Sequence, residues 1–252
     1  VQVSTVRITE RDQRMLAFAA EHRFVVTAQL ATLLEMSVGA AATRLRALTA
    51  AGYLTDSRPL TDEPTLYQIT TPGLRAIASD LTRPRAVDLA RFRHDAGLAW
   101  LTVGAERGMF GPLAQIVSER RMRSLDAHGA DAGETFGVRR ANKPGLHYPD
   151  LLVITDSGHR VAFELELTTK SPRRREAILA GYAVDRRIDA VIYLVDTPQG
   201  RRAMQESVRR MGLDDRVRVE QVSIGHRQPP VSGAGALQRR AVRGRPATAR
   251  ER

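Results

Sequence analysis

A chain of 252 residues, 42 % hydrophobic and 27 % charged, has the composition of a globular protein with one large domain or two modest ones. It has no cysteine, which excludes disulfides and thiolate metal sites, and no apolar run near the roughly 18 residues of a membrane span. The net charge of +11 invites a nucleic-acid reading, but Val1 to Asp80 sets eight arginines against eight acids, and about half the excess follows Ile224, where seven arginines face one glutamate.

Four blocks are expected in chain order: 1–80, a Pro/Arg connector at 81–88, 89–224, and a Gly/Pro/Ala/Arg tail at 225–252. Val1 to Glu10 has no signal-peptide core, so a cytoplasmic, nucleoid-associated bacterial protein without membrane contact is expected. Thr9, with Asp12 three residues on, is an N-cap candidate ahead of the helical stripe Met15, Leu16, Phe18 and Ala19. Thr27 opens a second short helix carrying Leu30, Leu33 and Leu34. Ser37 opens a third, with Val38, Ala41, Ala42, Leu45 and Leu48 as its buried stripe and Gly52 past its end. Two helices joined tightly through Glu35-Met36-Ser37 have the spacing of a helix-turn-helix. Tyr53–Arg58 and Leu66–Thr70 read as a hairpin around Pro64, and Thr71-Pro72 starts a new helix with Pro at its first position. The string from Tyr67 to Ile77 resembles the wing exit of winged-helix transcription regulators.

On the third helix Ala40, Thr43, Ala47 and Ala50 turn outward, flanked by Arg44 and Arg46. Small residues let a helix approach the major groove of double-stranded DNA closely, and arginines hold phosphates or guanine edges. The candidate DNA contacts are Ser37, Thr43, Arg44, Arg46 and, on the hairpin, Arg58. The tail either holds phosphates without reading sequence or only solubilises.

In the third block Leu89, Phe92, Ala96, Ala99 and Val103 form a helical stripe, with Trp100 nearby. Leu113–Met122 reads as a strand, and His147–Thr155 and Arg160–Leu167 as a hairpin about Asp156-Ser157-Gly158. Pro172–Arg186 is helical, Ala190–Asp196 a buried strand, Thr197–Met211 helical and Val217–Ile224 the last strand, giving α-β-β-β-α-β-α-β. With the turn centred on Ser157, Leu151, Val153, Val161, Phe163, Leu165 and Leu167 share an apolar face. The other face has Leu152, Ile154 and Ala162, then Asp150 opposite Glu164 and Tyr148 opposite Glu166. Carboxylates about 5 Å apart across strands repel. A divalent cation with oxygen ligands would relieve them, as would arginines of the next helix (Arg173, Arg174, Arg175) or solvent over an acidic patch, and a site that once held metal but no longer cuts is a further alternative; all remain open at this point.

Pro149-Asp150 followed by Glu164-Leu165-Glu166 resembles the PD-(D/E)xK nuclease superfamily. More closely, Pro149-Asp150-Leu151, the run Phe163 to Lys170 and Tyr182, behind a winged helix, are similar to the replication-relaxation family of plasmid and mobile-element proteins, over roughly residues 8–224. The resemblance implies an α+β chain, an N-terminal winged helix-turn-helix followed by a restriction-endonuclease-like α-β-β-β-α-β domain, acting in replication, relaxation or transcription control. It implies Asp150 and Glu164 as ligands of Mg²⁺ (or Mn²⁺). Its third position, usually a lysine that positions or deprotonates water, is Glu166 here. Lys170, one of only two lysines, stands four residues on as a further catalytic candidate. His94-Asp95 and Glu119 are weaker candidates. Two alternatives follow: an active metal-dependent endonuclease or nickase, or a regulator whose inactive nuclease-like domain serves dimerisation. The expected partners are double-stranded DNA and a second copy of the chain, and no small-molecule cofactor is evident.

Overall fold

The computed structural model describes residues 7–129, 135–141, 144–168 and 171–223. The tail and Lys170 lie outside them. Helix α1 (Glu10–Glu21) starts where Thr9 caps the Asp12 amide and the Asp12 carboxylate accepts the Thr9 N–H at 2.7 Å. Its stripe of Met15, Leu16, Phe18 and Ala19 packs against Leu30 and Leu33 of α2 (Thr27–Leu33) and Leu45 and Leu48 of α3 (Val38–Ala50). Ser37 caps α3 by accepting the Ala40 amide at 3.1 Å, and Gly52 follows the helix at φ +79°, a left-handed conformation that glycine takes without steric cost.

Three short strands, β1 (Val25–Val26), β2 (Leu54–Ser57) and β3 (Leu66–Ile69), form an antiparallel sheet in the order β1-β3-β2. Helix α4 (Thr71–Ala76) closes the unit. Details differ from what the sequence predicts. Thr70, not Thr71, caps α4, and Val26 precedes α2. At two residues β1 is too short to show a period. Val38 is 57 % exposed, because it stands at the first position of α3, ahead of the first buried residue, Ala41.

A 3₁₀ turn at Leu89–Arg91 leads into α5 (Phe92–Glu106). Then come β4 (Leu113–Ser118), α6 (Glu119–Ala127), β5 (Val138–Arg139), β6 (Leu146–His147), β7 (Leu151–Thr155), β8 (Arg160–Glu166), α7 (Pro172–Val184), β9 (Ala190–Val195), α8 (Pro198–Arg210) and β10 (Val217–Gln221). The five-stranded sheet has the order β10-β9-β8-β7-β4. Strands β4, β7 and β8 are antiparallel neighbours, while α7 and α8 cross over to make β8, β9 and β10 parallel. The chain is thus mixed α/β, as expected.

The β7–β8 register joins Leu151 to Phe163 and Ile154 to Arg160, as the turn at Ser157 predicts. Leu151, Val153, Val161, Phe163 and Leu165 pack with Leu101 and Ala105 of α5, and Leu152 and Ala162 pack with Leu179, Tyr182 and Met204 of α7 and α8. Three expected strands are shorter than the sequence predicts: β10 ends at Gln221, and the other two are cut by single residues. Leu113–Met122 leaves the sheet at Ser118, whose hydroxyl accepts the Arg121 amide at 3.1 Å and starts α6, so Glu119 is helical. His147–Thr155 is interrupted at Pro149, which has no N–H for a ladder, and β6 pairs instead with β5. Tyr148 therefore does not oppose Glu166; its ring lies under the Arg123 guanidinium at 4.3 Å.

Helix α5 serves both halves of the molecule. Eleven of its 15 residues are buried, the mark of a helix covered on all sides. Ala99, Trp100 and Val103 share a core with Met15, Leu16 and Leu30, while Phe92 and Ala96 share another with Phe24, Val26 and Leu66. Gln29, wholly buried in α2, donates to the Ala96 carbonyl at 3.0 Å. Among the described residues no helix is long and apolar enough to cross a membrane.

Candidate functional site

Two surfaces collect the residues that the sequence singles out. The first is the outward face of α3. Gly39, Ala40 and Thr43 are exposed there, and Ala47 is half-buried. Arg46 is exposed and its guanidinium reaches the Thr43 hydroxyl at 3.2 Å, while Arg58, just past β2, donates to Thr65 at 3.2 Å across the hairpin. Arg44 is differently placed. Its Nε and Nη2 each stand 2.5 Å from an oxygen of Asp12, whose side chain is 1 % exposed. Burial pushes the Asp12 carboxyl up, but hydrogen bonds from Arg44 and Thr9 outweigh it and hold it below the usual carboxylate range. Arg44 is therefore committed to neutralising a buried acid rather than flanking the outward face as a free cation. Asp12 is the capping-box partner of Thr9, and the same carboxylate that accepts the Thr9 N–H turns inward to meet Arg44.

The second surface is a cleft of about 980 Å³ at the β7–β8 end of the sheet. Asp150, Glu164 and Glu166 form its floor, with Glu164 3 % and Glu166 6 % exposed. Parity along β8 puts both glutamates on the α7 side, and the register carries Asp150 to the same end. Asp150 Oδ2 accepts the Leu165 amide at 2.8 Å and lies 3.3 Å from His94 Nε2. The other nitrogen of His94 faces Asp95 Oδ1 at 3.4 Å, and Asp95 is approached by Arg23 and Arg91, each at 3.6 Å. Burial pulls His94 down, but its hydrogen bonds to Asp150 and Asp95 prevail and raise it to about 9. Glu164 Oε1 accepts from the Tyr182 hydroxyl and from His147 Nε2, the latter at 2.6 Å. Burial, then the charge of Glu164, pushes Tyr182 well above the usual phenol range. The hydroxyl of Tyr193, paired in register with Glu164, is buried with no hydrogen-bond partner among the described residues.

The repulsion expected between the acids is thus relieved by imidazoles and a phenol. Arg173 and Arg174 lie exposed at the start of α7, and the buried Arg175 donates to Ser207 at 3.3 Å. The sequence reading does not single out His147; it carries Tyr182 only in the family resemblance and names His94 as a weaker candidate. The signal for His147 is its place three residues before Asp150 in a chain with six histidines.

A divalent cation would need several of these oxygens at once. Among the described residues no group of three His, Asp or Glu side chains stands together in such an arrangement. Asp150 and Glu164 each spend one oxygen on a different histidine, so an ion held by both would have to displace His94 and His147 from them. What they do offer is a proton-carrying, hydrogen-bonding floor beneath a rim of arginines, which includes Arg93, Arg123, Arg140 and Arg174. Such a rim suits a phosphodiester.

A family model described as replication-relaxation matches residues 16–187, which span both surfaces. No curated protein and no solved structure matches the chain.

Proposed function

The chain belongs to the replication-relaxation family, and from that premise we propose that it is a DNA-binding protein of a plasmid or other mobile element. The N-terminal unit acts as a winged helix-turn-helix that holds duplex DNA, and the carboxylate cleft faces the same DNA. The observation that carries this reading is the outward face of α3. A helix capped by Ser37 presents Gly39, Ala40 and Thr43 with exposed Arg46, beside a hairpin bearing Arg58. Small side chains permit entry into a major groove, exposed Val38 matches a thymine methyl, and two arginines supply phosphate or guanine contacts.

The test is a fluorescence-anisotropy titration of duplex DNA against salt. Arg46→Ala with Arg58→Ala should weaken binding and flatten the slope of log K against log salt by about 0.9 for each phosphate no longer neutralised. An unchanged affinity and slope would remove the assignment.

A second reading, a metal-dependent nickase, is favoured by one observation: Asp150, Glu164 and Glu166 share one end of two neighbouring strands at the floor of a cleft. It requires His94 and His147 to surrender their carboxylates to Mg²⁺ or Mn²⁺. Nicking of supercoiled plasmid by the wild type with either ion, abolished in Asp150→Ala, would establish it. Intact plasmid under both ions would leave the protein a binding factor.

A further inference from the structure

We propose that the cleft takes single-stranded DNA, so that the chain grips a junction between duplex and unpaired strand. This rests on the reading that the protein engages DNA. Three observations lead to it.

The first is size. The cleft, at about 980 Å³, is a pocket of ligand dimensions. A double helix is too broad a body to be seated in a pocket of that volume, whereas a strand released from its partner enters one nucleotide at a time.

The second is the apolar surface at the mouth. Of the five large hydrophobic side chains that are exposed among the described residues, two line this cleft: Leu60 at 38 % and Leu89 at 50 %. Both stand beside arginines at one opening, where a ligand with an apolar face and a charged backbone can cover them together. An unpaired strand is such a ligand, because the faces of its bases are apolar once unstacked. Tyr148, with the Arg123 guanidinium stacked on its ring at 4.3 Å, adds a flat cationic platform of the kind on which bases lie.

The third is charge and continuity. Arg140 and Arg174 are exposed on the lining and make no ion pair among the described residues, so they are available to backbone phosphates. Leu60 belongs to the loop that joins β2 to β3, the same hairpin that carries Arg58. DNA held by that hairpin therefore ends beside the cleft, and an unpaired strand leaving it meets Leu60 first.

The experiment compares three fluorescein-labelled probes with the full chain: a mixed-sequence single strand of about 20 nucleotides, its duplex, and a duplex with a single-stranded overhang. The variant is Leu89→Ala with Arg174→Ala, two exposed side chains away from α3 and the hairpin, and an unchanged melting temperature confirms its fold. The wild type should bind the overhang probe more tightly than the blunt duplex. The variant should lose about tenfold in affinity for the single strand while its duplex affinity stays within roughly twofold. Photocrosslinking with a 5-iodouracil single strand should mark peptides containing Leu60, Leu89 or Tyr148. Single-strand affinity unchanged in the variant, or crosslinks wholly outside the cleft, would overturn the proposal while leaving duplex binding standing. Failure of the wild type to bind either simple probe would overturn the functional reading itself.

Discussion

Asp12, the capping-box partner of Thr9, points inward at 1 % exposure and meets the fork of Arg44. Removing one partner of such a pair strands a charge in the core, which is costlier than deleting a surface interaction. Arg44→Ala should therefore lower stability by about 3 kcal/mol, whereas Arg46→Ala, on the outward face of the same helix, should change it by less than about 0.5 kcal/mol. Urea unfolding of the two variants separates a structural arginine from a surface one, and equal midpoints would show that the pair contributes nothing. His94 gives a pH signature. Its proton is held to about 9 in the folded chain and to 6.5 when unfolded, so the folded state binds it more tightly. That stabilisation, on the order of 3 kcal/mol, is complete below pH 6.5 and disappears as pH rises through about 9. The gap in stability between wild type and His94→Gln should close over that interval, and a gap constant with pH would contradict the pairing with Asp150. His22 acts in the opposite direction. Burial, and then the charge of Arg120, lowers it to about 3, so its contribution is present above pH 6.5 and is lost as pH falls toward 3.

Among the elements, α7 is placed by a glycine. A Cβ added at Gly181 would lie 2.6 Å from the Arg139 carbonyl of β5, a backbone atom that cannot step aside. Gly181→Ala should push α7 outward, cost about 1–3 kcal/mol, and move the neighbouring Tyr182 off Glu164. Chemical denaturation together with the titration of the tyrosine hydroxyls would show both effects, and full retention of stability would mean that the helix has room. The same elements show what is legible in a sequence. The β7–β8 register follows from alternation and the Asp-Ser-Gly turn, because a strand that slips by one residue exposes its whole apolar face. The ends of β4 and β6 do not follow, because Ser118 and Pro149 act through a single hydrogen bond made or missing, which periodicity does not register. The site divides in the same way. Asp150 and Glu164 share a strand pair and are readable by local pattern, whereas His94, His147 and Tyr182 reach them from α5, β6 and α7, across 56, 17 and 18 residues of chain.

At the scale of the molecule, the connector at 81–88 does not separate two independent bodies. The single tryptophan, Trp100, is 1 % exposed in a core shared with Met15, Leu16 and Leu30. Arg107 donates back to the Thr32 carbonyl at 3.0 Å and Arg120 to that of Ala20 at 3.0 Å. Unfolding should therefore be one cooperative event, with the fluorescence of Trp100 and the far-ultraviolet signal falling together in urea. Two separated transitions would mean that the halves fold apart.

With α5 embedded in both cores, the span from the outward face of α3 to the floor of the cleft is a fixed length, which on the reading proposed above makes the protein a gauge laid along its DNA. On the proposed reading, the bases between the two points of engagement are free to vary, but their number is not. Inserting about five base pairs, half a helical turn, would rotate the second point to the far side of the duplex, and engagement there should fail while binding by α3 persists. Footprints on a target series with inserts of increasing length would then alternate between complete and partial protection, in step with the pitch of the DNA.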